Sequence, residues 1–503
     1  MRQRITYFPE TPGELSRDNL KVSGDTLSIQ SLNASKESRF SLGTHELPQE
    51  LQIALGQCHE FHVRWSSEKL HDVRLPSVSR IPPGLHVFFT PRAQKGSDLV
   101  CPLLKKAFGH QLQCASPIRS FISIPALSER FSSSTASHFY QTLSSLDDLT
   151  AYLQHKVCAP SEGSCHERIA QLRSAQSLAI DYDAISHMFV VTALWSEAPG
   201  QESWNEEIQN TSHSDKVEVG VLASEKADEP EEISLGGFLT VVGEDDKPSS
   251  TLFSFPSRHH PLPVSDESSY TVSFPEPAGL HPSLRIRFPA NPSTPPAKSC
   301  ALHAYLTIPS FLFLDKYQLS DPLFLESKNL KAVRSLYGET DLEAPDWVID
   351  KWGSVLLAEI APLAQSPSKE FNVEIPLHLR YLEPNNNSST LDEVRVPWPV
   401  LFWACDAEDG LKMATNPFDR VKLGYDGLFG PKTMFYHLNP SPTNGSLIQT
   451  LQVPVLNRNQ ATWVESGTIV TVLVGFLWVV FKLWAASRTA PRQTNVSKSK
   501  KST

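Results

Sequence analysis

Asp181-Tyr182-Asp183 has the D-x-D form with which many nucleotide-sugar glycosyltransferases hold a divalent metal against a diphosphate, because oxygen ligands suit a hard cation. No second acidic cluster or phosphate-cradling glycine loop accompanies it, and a strand with its polar residues facing out explains the pattern equally well. Asp406, Glu408 and Asp409 crowd three carboxylates into a turn that could take calcium, but without the regular ligand spacing of a calcium loop. His259-His260 precedes Pro261 in proline-rich sequence and reads as an exposed loop. Nucleophile, zinc-protease and nucleotide-loop signatures (G-x-S-x-G, H-E-x-x-H, G-x-x-x-x-G-K) are absent from the sequence. The compact group His378, Arg380 and Tyr381 remains: on alternating strand positions His378 and Arg380 share one face and Tyr381 takes the other. Such a face could pair with a carboxylate or a phosphate, an internal ion pair being the simpler reading.

These residues need strands to hold them. Ile375 to Pro384 and Val394 to Cys405 read as a hairpin, rich in aromatic and branched residues, closed by an asparagine- and serine-rich loop, with Pro397 and Pro399 at a strand end. Residues 1–196 read as an N-terminal α+β region: alternating runs such as Phe61-His62-Val63-Arg64-Trp65 predict strands, and Phe139, Leu143, Leu146, Leu149 and Leu153 predict one amphipathic helix. Residues 197–233 are acidic and polar and read as a linker. From 234 to 456 the chain is proline-punctuated and strand-like, which predicts an antiparallel sandwich. The expected fold class is mainly β with some α, a β-sandwich-like lumenal ectodomain followed by one C-terminal transmembrane helix.

That helix is predicted over residues 466–486, whose only charge, Lys482, can lift its ammonium to the interface along an apolar stem. Trp463, Trp478 and Trp484 supply amphipathic rings near its ends. The tail, 487–503, is basic, so the positive-inside rule places it in the cytosol and the preceding residues across the membrane. Lys500 and Lys501 match the dilysine pattern that retrieves membrane proteins to the endoplasmic reticulum, an address read by a receptor. N-glycosylation sequons begin at Asn33, Asn210, Asn386, Asn387 and Asn444, and the last three lie in polar, turn-forming sequence. Of the seven cysteines, Cys158 with Cys165 and Cys101 with Cys114 are local pairing options, though connectivity does not follow from sequence.

The formal charge of -10 leaves no basic stripe for phosphate backbones outside the tail, which argues against a nucleic-acid partner. Hydrophobic residues at 40% are enough for packed cores. The first residues, Met1 to Gly13, hold no apolar run of secretory-signal type, so the C-terminal helix is expected to direct translocation. The rival topology is a tail-anchored protein with a cytosolic body, which the basic tail and dilysine pattern oppose.

The block I-P-L-H-L-R-Y, then P, then V-x-V-P-x-P-V-L-F-W-A-C, resembles the hallmark of the PIG-X family. Leu302 to Pro309, Phe313 to Leu319 and Asp341 to Pro345 resemble its remaining pieces in matching order, from about Leu235 to Val455 plus the helix. The resemblance implies a noncatalytic, cofactor-free membrane subunit of the endoplasmic reticulum that stabilises glycosylphosphatidylinositol mannosyltransferase I, a multispanning enzyme adding the first mannose to the anchor precursor. His378, Arg380, Tyr381, Pro397, Pro399 and Cys405 would then be structural or partner-facing. The long N-terminal half resembles the larger fungal members, whereas shorter members carry a signal sequence. Readings from other classes are a lumenal glycosyltransferase or hydrolase in its own right, and a general folding factor for lumenal proteins.

Overall fold

The computed structural model describes residues 1–10, 20–72, 74–92, 98–125, 135–158, 161, 163–210, 215–276, 278–289, 295–361, 371–386, 390–407, 413 and 416–489. The chain forms two compact units: Met1–Tyr381 with Glu393–Leu451, and Leu382–Asp392 with Gln452–Thr503.

The first unit is mostly β. Among the described residues its largest sheet has eleven strands in the order Ser249–Pro256, Glu232–Val241, Lys216–Glu225, Arg2–Pro9, Ala34–Gly43, Met188–Trp195, Ser177–Asp183, Cys58–Ser66, Gly84–Pro91, Thr135–Gln141 and Ile122–Pro125. Its neighbours are antiparallel except Arg2–Pro9 with Lys216–Glu225, which run parallel. A six-stranded sheet follows in the order His259–Pro261, Thr433–His437, Val400–Asp406, Ala301–Pro309, Gly353–Ile360 and Leu330–Gly338. The four-stranded sheet is Phe371–Pro376, Ser283–Phe288, Ser269–Ser273 and Asn439–Pro440.

The large sheet packs its apolar face against Leu27, Ile29 and Leu32 of a three-stranded sheet and against the helices Val100–Phe108 and Asp147–Val157. A second core joins the sheets, with Phe88, Ile122 and Ile124 packed among Tyr305, Phe402, Tyr425 and Phe435. Burial of such side chains, worth about 1.5–3 kcal/mol each, makes the first unit one folding body.

This arrangement departs from the expected domain boundaries. The supposed linker carries two strands, Trp204–Gln209 and Lys216–Glu225, and the second is paired on both edges. Its acidic run Asp228 to Glu232 is the turn and first residue of a hairpin, and the sheet then continues through Ser249–Pro256, beyond residue 233. The expected helix over Phe139 to Leu153 also divides: Phe139 lies on a strand, and the helix starts at Asp147, where Asp147 and Asp148 suit the positive end of the helix dipole.

The expected hairpin is not one either. Phe371–Pro376 pairs with Ser283–Phe288, His378–Leu379 with Leu312–Phe313, and Val400–Asp406 lies between Ala301–Pro309 and Thr433–His437. Pro376 ends the first strand and Pro399 directly precedes Val400–Asp406, and the partners lie either about 70 or more residues upstream or, for Thr433–His437, downstream across an intervening segment, beyond the reach of any local pattern.

In the second unit Asn385 donates its backbone N–H to Leu456 at 3.2 Å and accepts from Arg458 at 2.8 Å, while Val455 donates to Thr390 at 2.9 Å. The helix Ala461–Thr489 follows, 29 residues or about 43 Å long, enough to cross a hydrocarbon core of about 30 Å. Thr468 and Thr471 donate their hydroxyls to the carbonyls of Val464 and Gly467, each at 2.8 Å, so these polar groups are satisfied within the helix.

Candidate functional site

The short pairing of Leu312–Phe313 with His378–Leu379 holds the group singled out by its spacing. Phe313 is the platform: His378 stacks on it with ring centroids 5.1 Å apart, and the Arg380 guanidinium lies 4.5 Å over its centre. Arg380 is buried, and its Nε donates to the Ser310 carbonyl at 3.0 Å and its Nη1 to the Ala344 carbonyl at 2.7 Å. The expected carboxylate partner is not there. Among the described residues no carboxylate reaches ion-pair distance; burial lowers the Arg380 pKa and Glu339, Asp341 and Asp346 offset that from further away. Asp341 instead organises the turn that presents Ala344, accepting from the N–H groups of Glu343 at 2.8 Å and Ala344 at 3.1 Å.

His378 is half-buried with its Nδ1 2.9 Å from that of His281, and burial together with His281 lowers its pKa. Tyr381 is 68% exposed, and its carbonyl accepts from the N–H of Asp346 at 3.0 Å. That bond places it beside the turn carrying Trp347 and Val348, both more than half exposed, so a buried cationic clamp backs an apolar surface.

Pro397 closes its strand and the Pro399 carbonyl accepts the Tyr270 hydroxyl at 2.8 Å, while buried Trp398 between them donates its backbone N–H to the Leu447 carbonyl at 2.9 Å. Cys405 is disulfide-bonded to Cys300, tying Val400–Asp406 to the start of Ala301–Pro309. The local pairs Cys101–Cys114 and Cys158–Cys165 are also formed, and Cys58 is a buried free thiol whose pKa burial pushes up to about 12.

The D-x-D carboxylates are engaged in separate tasks. Asp181 lies 2.5 Å from Arg64 and 2.7 Å from His62; burial alone would raise its pKa, and these partners hold it below the ordinary carboxylate range. Asp183 accepts from the N–H of Ile185 at 2.8 Å in the following turn. Among the described residues no group of three or more His, Cys, Asp or Glu is arranged to hold a metal ion.

His259-His260 is not an exposed loop. It forms a buried strand parallel to Thr433–His437, with His259 Nδ1 2.9 Å from His437 Nε2 and stacked on Phe435, because flanking prolines shorten a strand without excluding it from a sheet edge. Asp406 ends its strand, whereas Glu408 and Asp409 lie outside the described residues.

Asn33, Asn386 and Asn444 are exposed, and Asn387 lies outside the described residues. Asn210 is half-buried with its Nδ2, the atom a glycan would modify, donating to Asp215 at 3.3 Å and Val242 at 3.2 Å. Lys500 and Lys501 also lie outside the described residues.

One buried pair escaped the sequence reading. Glu206, inside the supposed linker, meets the buried Lys36 ammonium at 2.6 Å and the Tyr7 hydroxyl at 2.5 Å, with Lys36 4.6 Å over the Trp204 ring. The signal was present in the alternation of Trp204, Glu206 and Ile208, but acidity masked it.

A family model described as PIG-X / PBN1 matches residues 277–484, which takes in the Phe313–Arg380 platform, Cys300–Cys405 and most of the apolar helix. The chain is 48% identical to Protein pbn1 of Emericella nidulans across 97% of each chain. To Protein pbn1 of Aspergillus oryzae it is 45% identical, over 99% of this chain and 100% of that one. To Protein PBN1 of Saccharomyces cerevisiae it is 30% identical, over 54% of this chain and 60% of that one.

Proposed function

Because the chain belongs to the PIG-X / PBN1 family, we propose that it is a noncatalytic, single-pass subunit of the endoplasmic reticulum membrane that stabilises the mannosyltransferase adding the first mannose to the glycosylphosphatidylinositol precursor. The observation that carries the reading is the match of residues 277–484 to the family model, together with near-full-length similarity to Protein pbn1, on a chain with one C-terminal helix among the described residues long and apolar enough to span a membrane.

The geometry supports an accessory role in two further ways. The residues that could have done chemistry, Asp181, Asp183 and Arg380, are committed to an ion pair, a turn and a clamp. Tyr381, Trp347 and Val348 offer the exposed apolar surface by which a subunit meets its partner. A lumenal ectodomain agrees with three disulfides, which persist in oxidising compartments, and with exposed sequons at Asn33, Asn386 and Asn444.

The test is purification of the tagged full-length protein from detergent-solubilised membranes, with identification of what travels with it. Recovery of the multispanning transferase subunit in stoichiometric amount supports the reading, and its absence under conditions that keep other membrane complexes intact counts against it.

A further inference from the structure

Among the described residues of the first unit, Arg380 and Arg80 are enclosed guanidiniums without a carboxylate at ion-pair distance, and the charge of Arg380 is met by two carbonyls and the Phe313 ring. Arg64 is matched by Asp181 and gives its other N–H groups to the carbonyls of Val421, Val63 and Ile180. Lys36 is matched by Glu206. Arg420 donates to the Ser177 hydroxyl at 2.6 Å and is attracted by Glu37, whose own carboxyl burial pushes towards neutrality. Arg80 has no counterpart. Among the described residues no carboxylate lies within ion-pair distance of it, the groups acting on its charge are the phenols of Tyr270 and Tyr425, and its Nη2 makes only a long 3.5 Å contact with the Asn439 side chain. Arg80 is part-buried with its Nε shut off from solvent, and a cation so placed without a counter-charge is unfavourable, so something is expected to supply one.

Arg80 borders a cavity of about 50 Å³, lined also by Ser66, Ser177, Trp398 and Arg420. Three donors on its lining residues have no hydrogen-bond partner: Arg80 Nε, Arg420 Nη2 and Trp398 Nε1. No side-chain acceptor on the described lining is similarly orphaned, and no Asp or Glu belongs to it. The deficit is therefore one of acceptors and of negative charge together. Water supplies the first alone. A cavity needs about 10–15 Å³ to hold one water, so the space also admits a small tetrahedral ion.

We propose that this cavity binds a small oxyanion of the phosphate class, held by Arg80, Arg420 and the Trp398 indole N–H. Arginine matches such an ion through paired N–H groups, and a buried indole adds a donor that cannot turn away. The anion would come either free from solution or as the terminal phosphate of a lipid. Because Arg64, Ser66 and Ser177 lie on the eleven-stranded sheet and Val400 on the six-stranded one, an occupant would also fasten the two sheets together.

The test uses the full-length protein in detergent, freed of anions by exchange into chloride buffer. Its thermal midpoint and binding heat are measured against inorganic phosphate, and separately against short-chain phosphatidic acid, at matched ionic strength. Phosphate stabilises most folded proteins weakly by exclusion from their surface, so the readout is the difference between wild type and variants. Saturable binding by the wild type, with affinity at least tenfold lower in Arg80→Gln and in Trp398→Phe and unchanged in the exposed control Lys298→Gln, is the expected result. Arg80→Gln should also melt higher than wild type in chloride, because it removes the unmatched charge. Should Arg80→Gln fail to fold, Trp398→Phe, which deletes one N–H and little volume, decides. Saturation by inorganic phosphate assigns a free ion, and saturation by phosphatidic acid alone assigns a lipid phosphate. Unsaturable stabilisation equal in wild type and Trp398→Phe overturns the proposal.

Discussion

The guanidinium of Arg380 lies 4.5 Å over the ring of Phe313, which fixes the plane of its donors so that Nε and Nη1 reach the carbonyls of Ser310 and Ala344. One side chain thereby joins the turn before Leu312–Phe313, the Asp341–Ala344 turn and the end of His378–Leu379.

Arg380→Ala is expected to destabilise the protein by about 3 kcal/mol, since two carbonyls lose charged donors and a cation–π contact is lost. That is a large share of a stability of about 5–15 kcal/mol. Arg380→Lys keeps the charge but not the fork and should recover less than half of the loss. Denaturant midpoints of the purified variants check this, and a Lys variant equal to wild type would contradict the clamp.

Lys36→Ala should cost about 3 to 5 kcal/mol by leaving Glu206 with an unpaired charge. Adding Glu206→Leu should return much of it. A double-mutant cycle on urea unfolding gives the coupling, and additive single effects would show that Trp204–Gln209 is not held as described.

This pair shows what the sequence revealed and what it concealed. The apolar helix and the mainly β character follow from composition and short-range spacing, whereas Cys101–Cys114 and Cys158–Cys165 are there only local options that the structure decides. Alternation at Val217, Val219 and Val221 already marks a strand, but its pairing with Arg2–Pro9, across more than two hundred residues, has no local signature. For the same reason Ile375 and Cys405 read as opposite strands of a hairpin when each pairs elsewhere. At the candidate site the alternation of His378, Arg380 and Tyr381 was legible, whereas the Phe313 platform and the carbonyl acceptors were not, because nothing in a residue's type announces which backbone carbonyl it will meet.

Acidification should weaken the fold between about pH 6.5 and 4.5. Burial holds His86 down at about 3 and His303 at about 4, and keeps His138, His259 and His437 well below the ordinary value. These imidazoles stay neutral when folded and take protons when unfolded, so stability is lost as pH falls through the unfolded value, by up to about 1.4 kcal/mol per pH unit for each group. Glu60, held at about 2 by His62 and Lys422 against the opposing effect of burial, loses its contribution only at lower pH. Asp419, pushed up to about 7 by burial, works in the opposite sense. Unfolding free energies against pH should show the net fall, and His303→Asn should make the slope shallower by about one proton; an unchanged slope would contradict the assignment.

Alkylation of the denatured, unreduced protein should label one cysteine, Cys58, and reduction should expose all seven. Cys405→Ala opens a loop of sequence separation 105 and should cost about 4 to 5 kcal/mol by the chain-entropy relation. Peptide mapping of the labelled protein decides, and labelling of Cys300 or Cys405 without reductant would contradict the disulfide.

The central claim, stabilisation without catalysis, is tested most directly by measuring transferase abundance and first-mannose transfer on the same membranes after this protein is depleted. Both are expected to fall in proportion, with transfer per surviving transferase unchanged. Normal transferase abundance with transfer abolished would contradict it.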